Sequence, residues 1–471
     1  MYKLSKRLKI TAITLILIGA IGWVHSYKAS HHLTLEDVQV MLAEEHSHHG
    51  NAASHNEDLN NKTDYLSHDK AYDHPNEVGY HNENYHNESS HHGSNHYEEV
   101  SHHDNGHAEH VLHQMHNRPY AALYVAAFFF MMISLGVLAF YGIQYAAQAG
   151  WSPVLFRVME AITYYLLPGA LFVLAIGLWA DDHIFIWMDP EIVAHDKLIQ
   201  GKSGWLNKTW FAIRGLIFIA GWSLYRYFSR KFSLAQDLAD INDNRYFKKN
   251  FRISAAFLVF YIYTESMMSW DWIMSVDPHW FSTLFGWYVF ASMFVSGITA
   301  IALITIYLKA KGLMDFVNDS HLHDLAKFMF GISVFWTYLW FSQFMLIWFA
   351  NIPEEVTYFV TRIEDYKIPF FGMLILNFIF PFLVLINSDY KRQPWFIVMA
   401  GVVILFGHYI DVFNMIMPAT VGDRWFIGLP EISAVALFLG LFLLIVFYAL
   451  SKAPLLPKGN PFIKESEQFH Y

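Results

Sequence analysis

The chain contains no cysteine. That absence excludes disulfides, thiolate-held iron–sulfur clusters, thioether-linked c-type haem and thiol catalysis within it. Any redox centre it serves therefore sits on another subunit or is a diffusible small molecule. Charge is also scarce, at 15% of residues against roughly a quarter in an average soluble domain. The net charge of −10 arises largely outside the apolar blocks, and no segment resembles a nucleic-acid-binding module. Histidine is almost missing from those blocks. His408 is the only one deep inside a span, which argues against a cytochrome b, since bis-His haem ligation needs pairs on facing helices.

What is abundant is apolar: 55% hydrophobic and 18% aromatic residues, gathered into long runs. A membrane span needs about 20 mostly apolar residues. On that scale, spans are predicted near 8–26, 120–146, 154–179, 207–228, 252–275, 283–308, 325–350, 369–387, 395–417 and 431–451. The expected fold is an all-α polytopic membrane protein of about ten helices in the lipid bilayer. Residues 1–26 form an N-terminal anchor or, alternatively, a signal peptide with a basic start and an apolar run from Ile10 to Val24. Residues 119–455 form the nine-helix core and 456–471 a tail.

Lys and Arg in short loops set the orientation. Lys3, Lys6, Arg7 and Lys9 place the N-terminus in the cytoplasm. Counted forward, the loops with Arg226, Arg230, Lys231, Arg245, Lys248 and Lys249, with Lys309 and Lys311, and with Lys391 and Arg392 share that side. The tail, with Lys452, Lys458 and Lys464, does too. Opposite loops carry Asp181, Asp182, Asp189, Glu354 and Glu355 instead. Both termini are expected inside a bacterial cytoplasmic membrane.

Residues 27–118 differ from the rest. They are rich in His, Asn, Glu, Ser and Asp, lack apolar periodicity and read as a disordered periplasmic segment. Weak metal candidates there are His48, His49, His91, His92, His102 and His103. Imidazole clusters could capture zinc, copper or nickel, but no fixed ligand spacing appears, and a solvated spacer accounts for the same composition.

A faint repeat runs through the core. Residues 154–179 align without gaps on 324–349, and 252–275 on 395–418, which sets Glu265 against His408 and Asp271 against Asn414. An offset of four spans preserves direction, the pattern of two parallel four-helix bundles with peripheral helices.

Ionisable residues within spans cost about 2.5–3.5 kcal/mol on insertion scales and mark candidate sites. Counted from Arg252, Glu265 lies about 20 Å deep and Asp271 about 28 Å. Counted from Trp395, His408 lies at about the depth of Glu265. Asp411, three residues on, shares its face. Arg214, inside the fourth span, needs a carboxylate, a carbonyl-lined cavity or a partner. Glu265, Asp271, His408, Asp411 and Arg214 are thus candidates for a proton path, with interhelical hydrogen bonding as the plainer alternative. Arg157 and Glu160 read as a structural pair, Gln343, Asn377 and Asn387 as polar glue, and Pro168 and Pro381 as kinks.

Three stretches carry a family resemblance: Tyr164-Tyr165-Leu166-Leu167-Pro168, Ser269 to Trp280 (SWDWIMSVDPHW), and Gly407-His408-Tyr409-Ile410-Asp411. On these the chain, over roughly 120–455, resembles the ActF-type membrane subunit of bacterial alternative complex III, a quinol:cytochrome c oxidoreductase. That subunit belongs to the NrfD and polysulfide-reductase membrane-anchor family. The resemblance implies a subunit of a respiratory electron-transport complex without its own redox centre. Its implied partners are a paralogous membrane subunit, a periplasmic iron–sulfur subunit, multihaem and monohaem cytochromes c, and in some complexes a terminal oxidase. Quinone or quinol is the ligand the family handles, with its site usually assigned to the paralogue. A different class, the proton-coupled secondary transporter, also suits ten helices with midplane acids.

Overall fold

The computed structural model describes residues 2–56, 95–240 and 242–470. They are helical with no strand among them. The chain divides into two units, residues 31–113 and residues 1–30 with 114–471.

In chain order the main helices are α1 (Lys6–His31), α2 (Leu35–Asn56), α3 (Asn95–Ala146), α4 (Pro153–Trp179), α5 (Lys208–Asp237), α6 (Arg245–Trp272), α7 (Phe285–Ala310) and α8 (Asp319–Ala350). They are followed by α9 (Pro353–Glu364), α10 (Lys367–Leu385), α11 (Pro394–Val421) and α12 (Leu429–Leu450). Eight are long and apolar enough to cross a membrane: α1, the Gly106–Ala146 part of α3, α4, α7, α8, α10, α11 and α12. The other two expected spans are helices of 30 and 28 residues, α5 and α6. They carry more charge, including Arg214, Arg226, Arg230 and Lys231 on α5 and Arg245, Lys248, Lys249 and Arg252 on α6.

Within the segment read as disordered, residues 35–56 and those from 95 on are helical among the described residues. Its first helix, α2, starts where Thr34 and Asp37 bond reciprocally, the Thr34 N–H to Asp37 Oδ2 at 2.9 Å and the Asp37 N–H to Thr34 Oγ1 at 3.4 Å. The later part, from Asn95, continues into α3, so the boundary expected at 118 falls inside one helix. Helix propagation from an anchored span costs little once a nucleus exists, a factor that composition does not reveal. His91 and His92 lie outside the described residues, and so do the side chains of His48, His49, His102 and His103.

In the larger unit the apolar part of α3 is wholly enclosed. It packs with α4, α5 and α6 in one group, while α7, α8, α10 and α11 form a second. The groups meet where α3 crosses α7. A Cβ on Gly136 would overlap the Met293 carbonyl, and one on Gly297 the Val137 backbone, so only glycine lets these backbones approach. Within each group α4 and α8 stand second, α6 and α11 fourth, the order the faint repeat anticipates. Outside them, α12 packs on α3 and α4, and α1 lies on α12 with most of its surface exposed, as a lipid-facing helix should be.

Both termini lie at one face. Tyr2 meets Phe447 near the end of α12, and Asn318 at the start of α8 donates to the Phe469 carbonyl at 2.6 Å. Two helices are irregular where proline demands it. Pro168 follows the 3₁₀ turn Thr163–Tyr165, and Pro381 follows the π-turn Ile375–Ile379. In each case the ring excludes the carbonyl four residues back from regular bonding.

Candidate functional site

The second helix group holds a buried polar cluster centred on Asp411. Asp411 is wholly buried and draws donors from three helices. From α7, the Tyr288 hydroxyl bonds Oδ1 and the Ser292 hydroxyl Oδ2 at 2.9 Å. From α8, the Trp336 indole N–H donates to Oδ2 at 3.0 Å. On α11 itself, His408 sets Nδ1 2.9 Å from the Ser292 hydroxyl and 3.4 Å from Asp411 Oδ2. The three-residue spacing of His408 and Asp411 thus does put them on one face, as the sequence indicates.

Below this cluster, towards the face of the termini, buried polar groups continue. His408 Nε2, Ser333 Oγ, Thr299 Oγ1, Thr305 Oγ1 and both amide atoms of Asn377 are buried with no hydrogen-bond partner among the described residues. Asn377 lies against Gly407, next to His408. It sits in the π-turn before Pro381 and is not the interhelical glue the sequence suggests. Buried polar groups of this kind are ordinarily completed by ordered water. Chemically, the hydroxyls, imidazole and carboxyl that hydrogen bonds join around Asp411 can exchange protons along those bonds.

The first group is built differently. Arg214 on α5 and Asp271 on α6 form a bidentate pair. The Trp205 indole N–H also reaches Asp271 Oδ1 at 2.8 Å, and its ring lies 4.2 Å beneath the Arg214 guanidinium. The carboxylate that Arg214 requires is therefore Asp271. Around it the SWDWIMSVDPHW turn is locked. Tyr124 donates to the Trp272 carbonyl at 2.8 Å, Trp187 to the Ser275 carbonyl at 2.9 Å, and Trp280 stacks on Tyr358 at 3.9 Å.

Glu265 stands apart from both clusters. It is 3% exposed; Oε1 has no partner among the described residues, and Oε2 meets only the Ser266 hydroxyl, at 3.4 Å. No hydrogen bond or ion pair joins it to His408 among the described residues. Its neighbours on α7 are Trp287 and Phe290, whereas His408 meets Ser292.

Near the face of the termini, Glu160 is gripped by Arg157 Nη1 at 2.6 Å, Arg230 Nη1 at 3.2 Å and the Tyr141 hydroxyl at 3.0 Å. Arg157 also reaches Asp237 at 2.5 Å, so the Arg157–Glu160 pair is one part of a larger buried network. Tyr164 underlies Arg226 and Arg230, with guanidinium-to-ring distances of 4.3 and 4.8 Å.

Tyr288, Ser292 and Trp336 escape sequence reading because aromatics and small hydroxyls are ordinary on apolar helices, and Trp205 because it lies in the turn before α5. The sequence signal available was the charge they serve, Asp411 or Asp271. No group of three or more His, Asp or Glu suited to a metal ion occurs among the described residues. Compared with known proteins, the chain matches no protein-family model and no curated protein.

Proposed function

We propose that this chain is an integral membrane subunit of a quinol:cytochrome c oxidoreductase of the alternative complex III type. It supports neighbouring subunits and provides a proton path. The observation that carries the proton path is the hydrogen-bonded Asp411–Ser292–His408 cluster, in a helix group that also holds buried hydroxyls and Asn377 with no hydrogen-bond partner among the described residues. Such groups are costly inside a bilayer and usually functional. The path would run through His408 and Asp411, with Glu265 at similar depth in the other helix group. The Arg214–Asp271 pair would hold the outer end in shape. The cysteine-free sequence agrees with redox centres carried by partners: a periplasmic iron–sulfur subunit, cytochromes c and a paralogous membrane subunit. Loop charges favour a bacterial cytoplasmic membrane with both termini inside.

The test is purification of the tagged full chain from native membranes in mild detergent. The expected result is co-purification with c-type cytochromes and an iron–sulfur protein. A lone chain that moves a solute against a proton gradient would replace this reading with that of a proton-coupled transporter. For the orientation, reporters near Asn242 and Lys391 should be cytoplasmic and those near Gln200 and Glu355 periplasmic. A single clear reversal would overturn it.

A further inference from the structure

A groove of about 480 Å³ runs between α12 and the helices α3, α7 and α11. It starts at the face opposite the termini, where Glu431 in the first turn of α12 is held by Arg118 Nε at 2.9 Å and Nη2 at 3.0 Å. Its far end is formed by Phe442 and Leu443 of α12 with Leu303 and Ile304 of α7. About one turn further on, the rings of Tyr307 and Phe447 meet at 5.5 Å and close it. Phe129 and Ile133 of α3 line a buried floor, whereas Ile432 at 60% and Phe406 at 54% exposure flank an open side. On membrane helices that side faces lipid. Among the described residues the wall has two polar side chains: Glu431, already paired, and Tyr409, whose hydroxyl has no partner among them.

We infer that the groove holds one acyl chain of a membrane phospholipid from the leaflet opposite the termini, a resident lipid that fills the seam between α12 and the α7–α11 pair. Length, width and chemistry each select it. Leu443 stands twelve residues after Glu431, about 18 Å of helix. One leaflet of a hydrocarbon core about 30 Å thick has nearly that depth, so the groove begins at the interface and stops near the midplane, where a chain ends. Spread over that length, 480 Å³ gives a mean cross-section of about 27 Å². A helix 10–12 Å across needs about 80–110 Å², which excludes a helix of a partner. A polar headgroup would find only the Tyr409 hydroxyl, no free cation, and no carboxylate but the one Arg118 holds. Lipid tails are as apolar as leucine, so no hydrophobic effect drives the chain in. Contact retains it instead: an empty groove would leave its lining without dispersion partners, and apolar walls do not hold water.

The experiment feeds cells a fatty acid with a diazirine near its terminal methyl, so that native phospholipids carry the probe. Membranes are irradiated, the tagged full chain is purified, and its adducts are mapped by mass. Peptides containing Leu303–Ile304 or Phe442–Leu443 should carry a whole phospholipid several-fold more often than the α8 peptide with Val334 and Tyr338, which are exposed near the middle of that helix. Val435→Trp and Leu439→Trp, at half-buried wall positions, should each fill the groove and lower its label to the α8 level. Both peptides come from one chain, so differences in yield cancel. Equal labelling of groove and α8 in the unaltered chain would show ordinary boundary lipid only. An adduct without the mass of a phospholipid, or loss of groove label on adding decylubiquinol, would assign the groove to another molecule. Each of these results overturns the inference, as does a ratio unchanged in both variants. None of them depends on the function proposed above.

Discussion

Arg214 holds both carboxylate oxygens of Asp271, Nε to Oδ2 at 2.6 Å and Nη2 to Oδ1 at 3.0 Å. The two residues come from adjacent antiparallel helices, and Asp271 is wholly buried. A desolvated pair of this kind is costly to break from one side, because the survivor is left as an unpaired buried charge.

Arg214→Leu or Asp271→Ala alone is therefore expected to destabilise the protein by about 3–5 kcal/mol, seen as lost yield and a lower unfolding temperature in detergent. The double variant Arg214→Leu/Asp271→Leu should recover much of that loss. Absence of recovery would show that each residue acts through partners other than its mate.

For the proposed proton path, which takes in Glu265 of the first helix group and His408 of the second, the informative quantity is turnover per assembled complex. Glu265→Gln and His408→Ala are expected to leave cytochrome content near normal while turnover or proton release falls and its pH dependence shifts. Trp336→Phe keeps the ring but removes the donor to Asp411, a cost of about 1 kcal/mol, and should lower stability with little effect on turnover. Unchanged per-complex turnover and proton release in both Glu265→Gln and His408→Ala would sink the proton path and leave these residues as scaffold only.

Acid should loosen one loop on the face opposite the termini. Asp196 caps the short helix Lys197–Gly201, accepting from the Leu198 and Ile199 backbone N–H groups, and meets His279 Nε2 at 2.5 Å. Burial pushes its carboxyl up, but the Ile199 N–H, His279 and the Leu198 N–H outweigh that and hold it below its ordinary value of 3.8. A folded value below the unfolded one stabilises fully above about pH 4 and loses that contribution as pH falls through the folded value. Pepsin cleavage within 189–205 should therefore rise only below about pH 4. Asp196→Ala, which removes a cap worth about 1 kcal/mol, should show raised cleavage at higher pH as well.

Helix α1 is seated on α12 by small residues. A Cβ on Gly19 would overlap the Leu437 and Ser433 backbone, and one on Gly440 would meet the Ala12 carbonyl. Gly19→Leu should push α1 off this seat. The measurement is crosslinking between cysteines placed at Ile16 and Leu441 of the cysteine-free chain: efficient with Gly19 present, and sharply reduced in the variant. Unchanged crosslinking would mean that loops rather than packing hold α1.

Much was legible in the sequence because bilayer thickness acts on single segments. A span must be apolar and about 20 residues long whatever its neighbours, so a long helix stands at each of the ten predicted spans, whereas the amphipathic α9 and the short loop helices match no apolar run. The same local rule gave the His408–Asp411 face and the need of Arg214 for a partner. The sequence did not determine which residues meet across helices. That Arg214 finds Asp271, that Asp411 gathers Tyr288, Ser292 and Trp336, and that a groove stays open between α12 and the α7–α11 pair depend on how helices rotate and cross. Those rotations are set by packing at contacts such as Gly136 against Met293, where closeness depends on both surfaces at once. The extension of α3 beyond the span was hidden for a related reason: its polar sequence shows no apolar face, and its helix follows from the buried segment it continues.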